Sequence, residues 1–153
     1  MGPDPRKHTT WHITLAEASV IITTAISTAR EKAFAPLTVV VLDAGGHLVA
    51  AQREDDSGIL RFDLAFGKAY GALGFGSGSR TLAGRAPKVP MFFNAAVAAS
   101  EGRLVPVPGG VLIRDAQGRI SGAVGISGNS GDNDEIAAIA GIEHTGLLAD
   151  PGA

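Results

Sequence analysis

The sequence predicts an α+β domain: an antiparallel sheet of about five strands, flanked by helices. Three observations carry that expectation. Strand-like runs occur in pairs around glycine turns, and helical periodicities are grouped rather than alternating with single strands. The chain has 153 residues, 45% apolar and 18% charged, so it can bury a core as one folded domain.

Taken in order, residues 1–13 read as a flexible arm, 14–148 as the domain and 149–153 as a tail. Thr14-Leu15-Ala16-Glu17 is a capping box, in which hydroxyl and carboxylate each satisfy an orphan amide. Leu15, Ala18, Ile22, Ala25, Ala29 and Ala33 follow at helical spacing, predicting a helix over 15–33. "LTVVVLDAGGHLVAAQR" (37–53) is a hairpin around Gly45-Gly46, and "DAQGRI" repeats the turn of "DAGGHL" in a second hairpin. "RLVPV" (103–107) is a candidate fifth strand. Phe62, Phe66, Ala69 and Leu73 mark a helix carrying Gly67, Gly71 and Gly74, each costing ~1 kcal/mol relative to Ala, so close packing is expected. Ser79 suits the cap of a short helix through Ala83, "VPMFFNAAVAAS" reads as another helix, and a last one runs from Asn133 to Leu148. The terminal helices are expected on one face of the sheet.

Composition excludes several classes. A net charge of −2 offers no pull on nucleic acid or an anionic membrane. Without cysteine there are no disulfides, thiol nucleophiles or thiolate-ligated cofactors. No apolar run approaches the ~18 residues of a membrane span, and no secretory h-region is visible. A cytoplasmic protein is the expectation.

"GISGNSGDNDE" (125–135) is glycine-rich and opens a helix. It lacks the lysine of a phosphate loop, and three carboxylates within four residues repel phosphate, which leaves a capped turn or a ligand-contacting loop. His47, across a turn from Asp43, is either a base or a solvated turn residue, and Glu135 is a second proton-transfer candidate. Lys68, beside Tyr70, could clamp a carboxylate, with Arg53 as a further basic group, or it could simply snorkel. Ser127 lacks the spacing of a nucleophile elbow. Gly109-Gly110 allows close backbone approach, to a ligand or to another strand. The four histidines show no zinc-type spacing; His8 and His12 lie in the arm, where an axial ligand could arise, and His144 lies late on the last helix.

Taken together, "VVVLDAGGHLVAAQR", "FGKAYGAL", "PGGVLI" and "GAVGISGNSGDNDEIAA" occur in an order that resembles the GlcG/HbpS family, a domain also found at the C-terminus of PduO-type proteins. The resemblance covers roughly 14–148 and implies a profilin-like α/β/α fold, homo-oligomers, and haem or a related tetrapyrrole as first ligand. It also implies ligand contacts from Arg53, Lys68, Tyr70, Thr81, Gly109, Gly110, Ser127 and Gly128, with Thr81 or His12 toward haem iron. The pocket is expected where the Lys68 helix, the Gly109-Gly110 turn and the 125–135 loop meet. Two other readings stand beside it: a lyase, isomerase or hydratase acting on a small organic acid, and an accessory oligomer without ligand.

Overall fold

A computed structural model describes residues 11–153; His8 and the first part of the arm lie outside the described residues. The elements are α1 (Leu15–Glu31), β1 (Thr38–Asp43), β2 (Leu48–Arg53), α2 (Arg61–Phe75), α3 (Ser79–Arg85), α4 (Pro90–Ala99), β3 (Gly110–Arg114), β4 (Ile120–Ser127), α5 (Gly131–His144) and β5 (Leu148–Asp150). All neighbours in the sheet, ordered β2-β1-β4-β3-β5, are antiparallel.

Strand alternation explains the layering. Val39, Val41, Val111, Ile113, Val124 and Ile126 point to one face, where they meet Ile21, Ile22 and Ala25 of α1 and Ala137, Ala138 and Ile142 of α5. Val40, Leu42, Leu112 and Ala123 point to the other face, against Ala65, Ala69 and Ala72 of α2. The terminal helices therefore do share one face.

Small residues set how closely α2 approaches. Gly125 and Gly110 are register partners, and a Cβ on either would overlap a carbonyl oxygen of α2, at Ala65 or Lys68. On its outer side α2 is crossed by residues 103–105: the Val105 amide donates to the Gly67 carbonyl at 3.1 Å, and Leu104 fills the space beside Gly71. The "RLVPV" run is thus an extended strap over α2, not the fifth strand. Pro106 and Pro108 deny the donors a ladder requires. The fifth strand is β5, so the C-terminal segment is no free tail: Ala149 and Asp150 pair with β3.

Helix ends differ from expectation in detail. The capping box at Thr14 and Glu17 is present, and α1 closes at Lys32. Ser79 does not cap α3; its Oγ accepts the Gly110 amide at 2.7 Å, and Gly78 takes the cap position. Ser130 caps α5 through the Asn133 amide, so the helix starts at Gly131, two residues earlier than the sequence suggests, and it ends at His144 rather than Leu148. Both hairpin turns share one device. Asp43 Oδ1 accepts the amides of Gly45 and His47, and Asp115 Oδ1 those of Gln117 and Arg119. The end of the arm is anchored, since Ile13 is buried and its amide donates to the Ser121 carbonyl at 3.0 Å. No helix among the described residues is long and apolar enough to cross a membrane.

Candidate functional site

The junction of α2, the Gly109-Gly110 turn and the 125–135 loop is a packed polar joint. Lys68 is 4% exposed and Asp134 0%, and an isolated charge at such depth would be costly. Each is satisfied. Lys68 Nζ donates to Asp134 Oδ2 at 3.0 Å and to the Ile126 carbonyl at 2.9 Å, while Asp134 Oδ1 accepts the Asn129 amide at 2.9 Å. Gly109, at φ +118°, lets the backbone pass; a Cβ there would sit 3.0 Å from Lys68 Nζ. Gly128 lies against the Pro36 carbonyl and Leu37, and buried Ser127 accepts Arg61 Nη1 at 3.1 Å. These residues come together, as the sequence suggests, but to tie α2, β4 and α5 to one another.

The remaining sequence candidates are dispersed. Arg53 opens on a separate groove of 540 Å³ that also bears Glu54, Asp55 and Asp56. A clamp combining Arg53 with Lys68 therefore has no common cavity, and the amine already holds Asp134. Glu135 accepts Arg80 Nε at 3.0 Å, and Arg80 also pairs with Asp132; the two carboxylates, Asp132 foremost, raise the guanidinium pKa further. Thr81 Oγ1 accepts the Ala153 amide at 2.9 Å. Tyr70 stacks on Phe66 at 5.8 Å under the Arg103 guanidinium at 4.6 Å. The His47 side chain is 80% exposed, with Nδ1 3.3 Å from Asp43, a solvated turn histidine.

Two named candidates are half-buried on hollows: Tyr70 borders a mostly apolar one of 280 Å³ with Gly71, Phe75 and Leu104, and His12 borders a more polar one. The α1 N-terminus and the β3–β4 turn enclose a hollow of 320 Å³ lined by Trp11, His12, Glu17, Asp115, Arg119 and Ser121, among others. Trp11 and His12 rings lie 5.6 Å apart, and the Arg119 guanidinium sits 5.4 Å from the Trp11 ring centre. Arg119 Nε donates to Asp115 at 2.7 Å. Desolvation, the largest single influence, pushes the Asp115 pKa up. The Arg119 amide and side chain and the Gln117 amide together outweigh it and hold the carboxyl below its ordinary range. Glu17 is held by the amide and hydroxyl of Thr14. Ser121 borders the hollow, and its Oγ, buried out of reach of solvent, has no hydrogen-bond partner among the described residues. Leaving such a group unsatisfied costs ~1–3 kcal/mol. Trp11, Arg119 and Ser121 went unnoticed in the sequence because they belong to no motif; the one signal was a Trp-His pair beside a capping box.

The family profile described as "Haem degrading protein HbpS-like" matches residues 13–143. The chain belongs to the HbpS-like family. Solved structures resemble it over most of its length as well. A double mutant of Streptomyces reticuli HbpS is 25% identical and superposes with a TM-score of 0.76, over 94% of this chain and 94% of that one. A PduOC:haem complex is 22% identical with a TM-score of 0.80, over 89% and 96% of the two chains. Klebsiella pneumoniae ORFY is 20% identical with a TM-score of 0.77, over 93% and 96%. No curated protein matches the sequence.

The residues of the hollow suit a haem-like group. It offers an imidazole, a partly exposed indole and a guanidinium, which between them answer a metal, a flat apolar ring and an acidic arm.

Proposed function

We propose that this HbpS-like chain is a cytoplasmic, homo-oligomeric binding protein whose ligand is haem or a related tetrapyrrole, held at the Trp11–His12 hollow. The observation that carries the reading is the half-buried imidazole of His12 on a cavity walled by the Trp11 indole and the Arg119 guanidinium. His47 and His144 are exposed and lack such surroundings. That a related PduOC is known in complex with haem, and that the family carries a haem-degrading description, supports the same ligand class.

When bound, haem supplies an iron centre that an imidazole can ligate. In this reading His12 would offer a ring nitrogen to that iron, and the Trp11 indole would pack against the macrocycle. Arg119 would receive an acidic arm of the ligand. The hollow is small and polar, so a macrocycle ligated by His12 would extend beyond it and would need cover from a second copy of the chain.

Titration of the protein with haemin tests this. A saturable Soret shift is expected, weakened at least about tenfold (~1.4 kcal/mol) by His12→Ala and unaffected by His47→Ala or Thr81→Ala. Absence of a saturable shift, or one indifferent to His12→Ala, overturns the assignment.

A further inference from the structure

We propose that the open edge of β2 is the docking surface for a second copy of this chain. The two β2 strands would pair antiparallel across a twofold axis, with Gln52 opposite Gln52. The inference rests on the homo-oligomeric part of the proposed function and not on its ligand.

The backbone supplies the first argument. β2 is an edge of the sheet, with β1 as its one neighbour. The Glu54 amide donates to the Leu37 carbonyl at 2.9 Å, which continues the register of Thr38 with Arg53 and Val39 with Gln52. Hydrogen-bonded pairs alternate along an antiparallel ladder. The amides and carbonyls of Ala50 and Gln52 therefore turn toward β1, and those of Ala51 and Arg53 turn away from the sheet. These outward groups have no hydrogen-bond partner among the described residues. Neither proline nor lysine, two common blocks to edge pairing, lies in Leu48–Arg53. The irregularity in the β1–β2 pairing falls between Val41 and Leu42, at the turn end, so Ala50 to Glu54 keep their register.

Side chains decide which strand fits. Only residues with outward backbone can exchange hydrogen bonds with a newcomer. A second β2 centred on the regular stretch therefore sets Ala51 against Arg53 on either side of the axis, and Gln52 against its own copy. A carboxamide carries both donor and acceptor, so it is complementary to itself. Alanine beside arginine leaves the guanidinium stem room. On the α1 side of the strand, Gln52 opens on the 540 Å³ groove walled by Ile26 and Arg30, which has space for the second copy's Gln52 and Ala50. An unrelated extended chain would meet the backbone row without this matched carboxamide.

The chain contains no cysteine, so a single introduced thiol reports contact between copies. Gln52→Cys puts the thiols at the non-hydrogen-bonded position of the paired strands, where Cα atoms lie about 4.5 Å apart and a disulfide can form. Mild oxidation is expected to convert this variant to a covalent dimer, whereas Ser19→Cys, exposed on α1, stays a single chain. Ala51→Pro removes an outward amide and spares the bonds to β1. Sedimentation equilibrium should give it half the wild-type mass, with unchanged circular dichroism. A monomeric wild type overturns the pairing, since the edge is then open to a different chain. So does a Gln52→Cys protein that cross-links no faster than Ser19→Cys, or a folded Ala51→Pro protein of wild-type mass. Cross-linked dimers in a protein that ignores haemin would leave the pairing standing and remove the tetrapyrrole reading, and haemin binding by a monomer would do the reverse.

Discussion

Lys68 and Asp134 make the case at the scale of single residues. Both were visible in the sequence, one in a glycine-rich helix and the other in an acidic loop, but nothing along the chain says that they meet. Their separation of 66 positions is closed by the sheet, and the pair at 3.0 Å ties the 125–135 loop to α2. Removing one partner leaves a buried charge without compensation. Asp134→Ala is therefore expected to lower stability by about 3–5 kcal/mol in urea unfolding, while Lys68→Met combined with Asp134→Leu should recover most of that loss. The same spacing logic explains why Ser121 escaped notice. A lone serine in a strand has no periodicity or motif to mark it, and its orphaned hydroxyl exists only once β4 bulges.

At the scale of elements, turn and cap chemistry was the most legible part of the chain. Asp-Ala-Gly-Gly and Asp-Ala-Gln-Gly each make the same side-chain-to-amide turn, and the Thr14–Glu17 box forms as its residues dictate, because both are local devices. The misreadings fall where a partner distant in sequence decides. "RLVPV" has strand composition but lies over α2, and Leu148–Asp150, too short to show a pattern, becomes a strand because β3 offers an edge. Glycines in and around α2 divide in the same way. A Cβ at Gly125 would overlap the Ala65 carbonyl oxygen, whereas one at Gly74 meets nothing within 4 Å. Denaturation should find Gly125→Ala destabilised by about 1–3 kcal/mol, and Gly74→Ala stabilised by about 0.5–1 kcal/mol.

At the scale of the whole molecule, the chain belongs to the HbpS-like family, and its layered α+β fold was readable before any coordinates, since grouped helices and paired strands leave few alternatives. The site was less readable. The sequence directs attention to the glycine-rich motifs, and those motifs build the scaffold. Assembly belongs to this scale too. Helix α4 buries only Phe93 and presents Met91, 85% exposed, and Phe92 to solvent. Apolar side chains projecting together suit contact between copies. If the proposed homo-oligomer uses this helix, sedimentation velocity should show a smaller species for Met91→Glu with Phe92→Glu, with unchanged helical circular dichroism. A sedimentation coefficient equal to that of the wild type would place the contact elsewhere.

The three-residue β5 has a role beyond completing the sheet. An uncovered β3 would offer "GVLIR", apolar and unpaired, as a template for any passing extended chain. β5 occupies that template, and then presents outward an edge that is very short, carries Asp150 bound to Arg114 at 2.9 Å, and ends at Pro151. Such an edge cannot propagate pairing. β5 thus blunts the β3 side of the sheet against edge-to-edge pairing, which leaves β2 as the longer open edge.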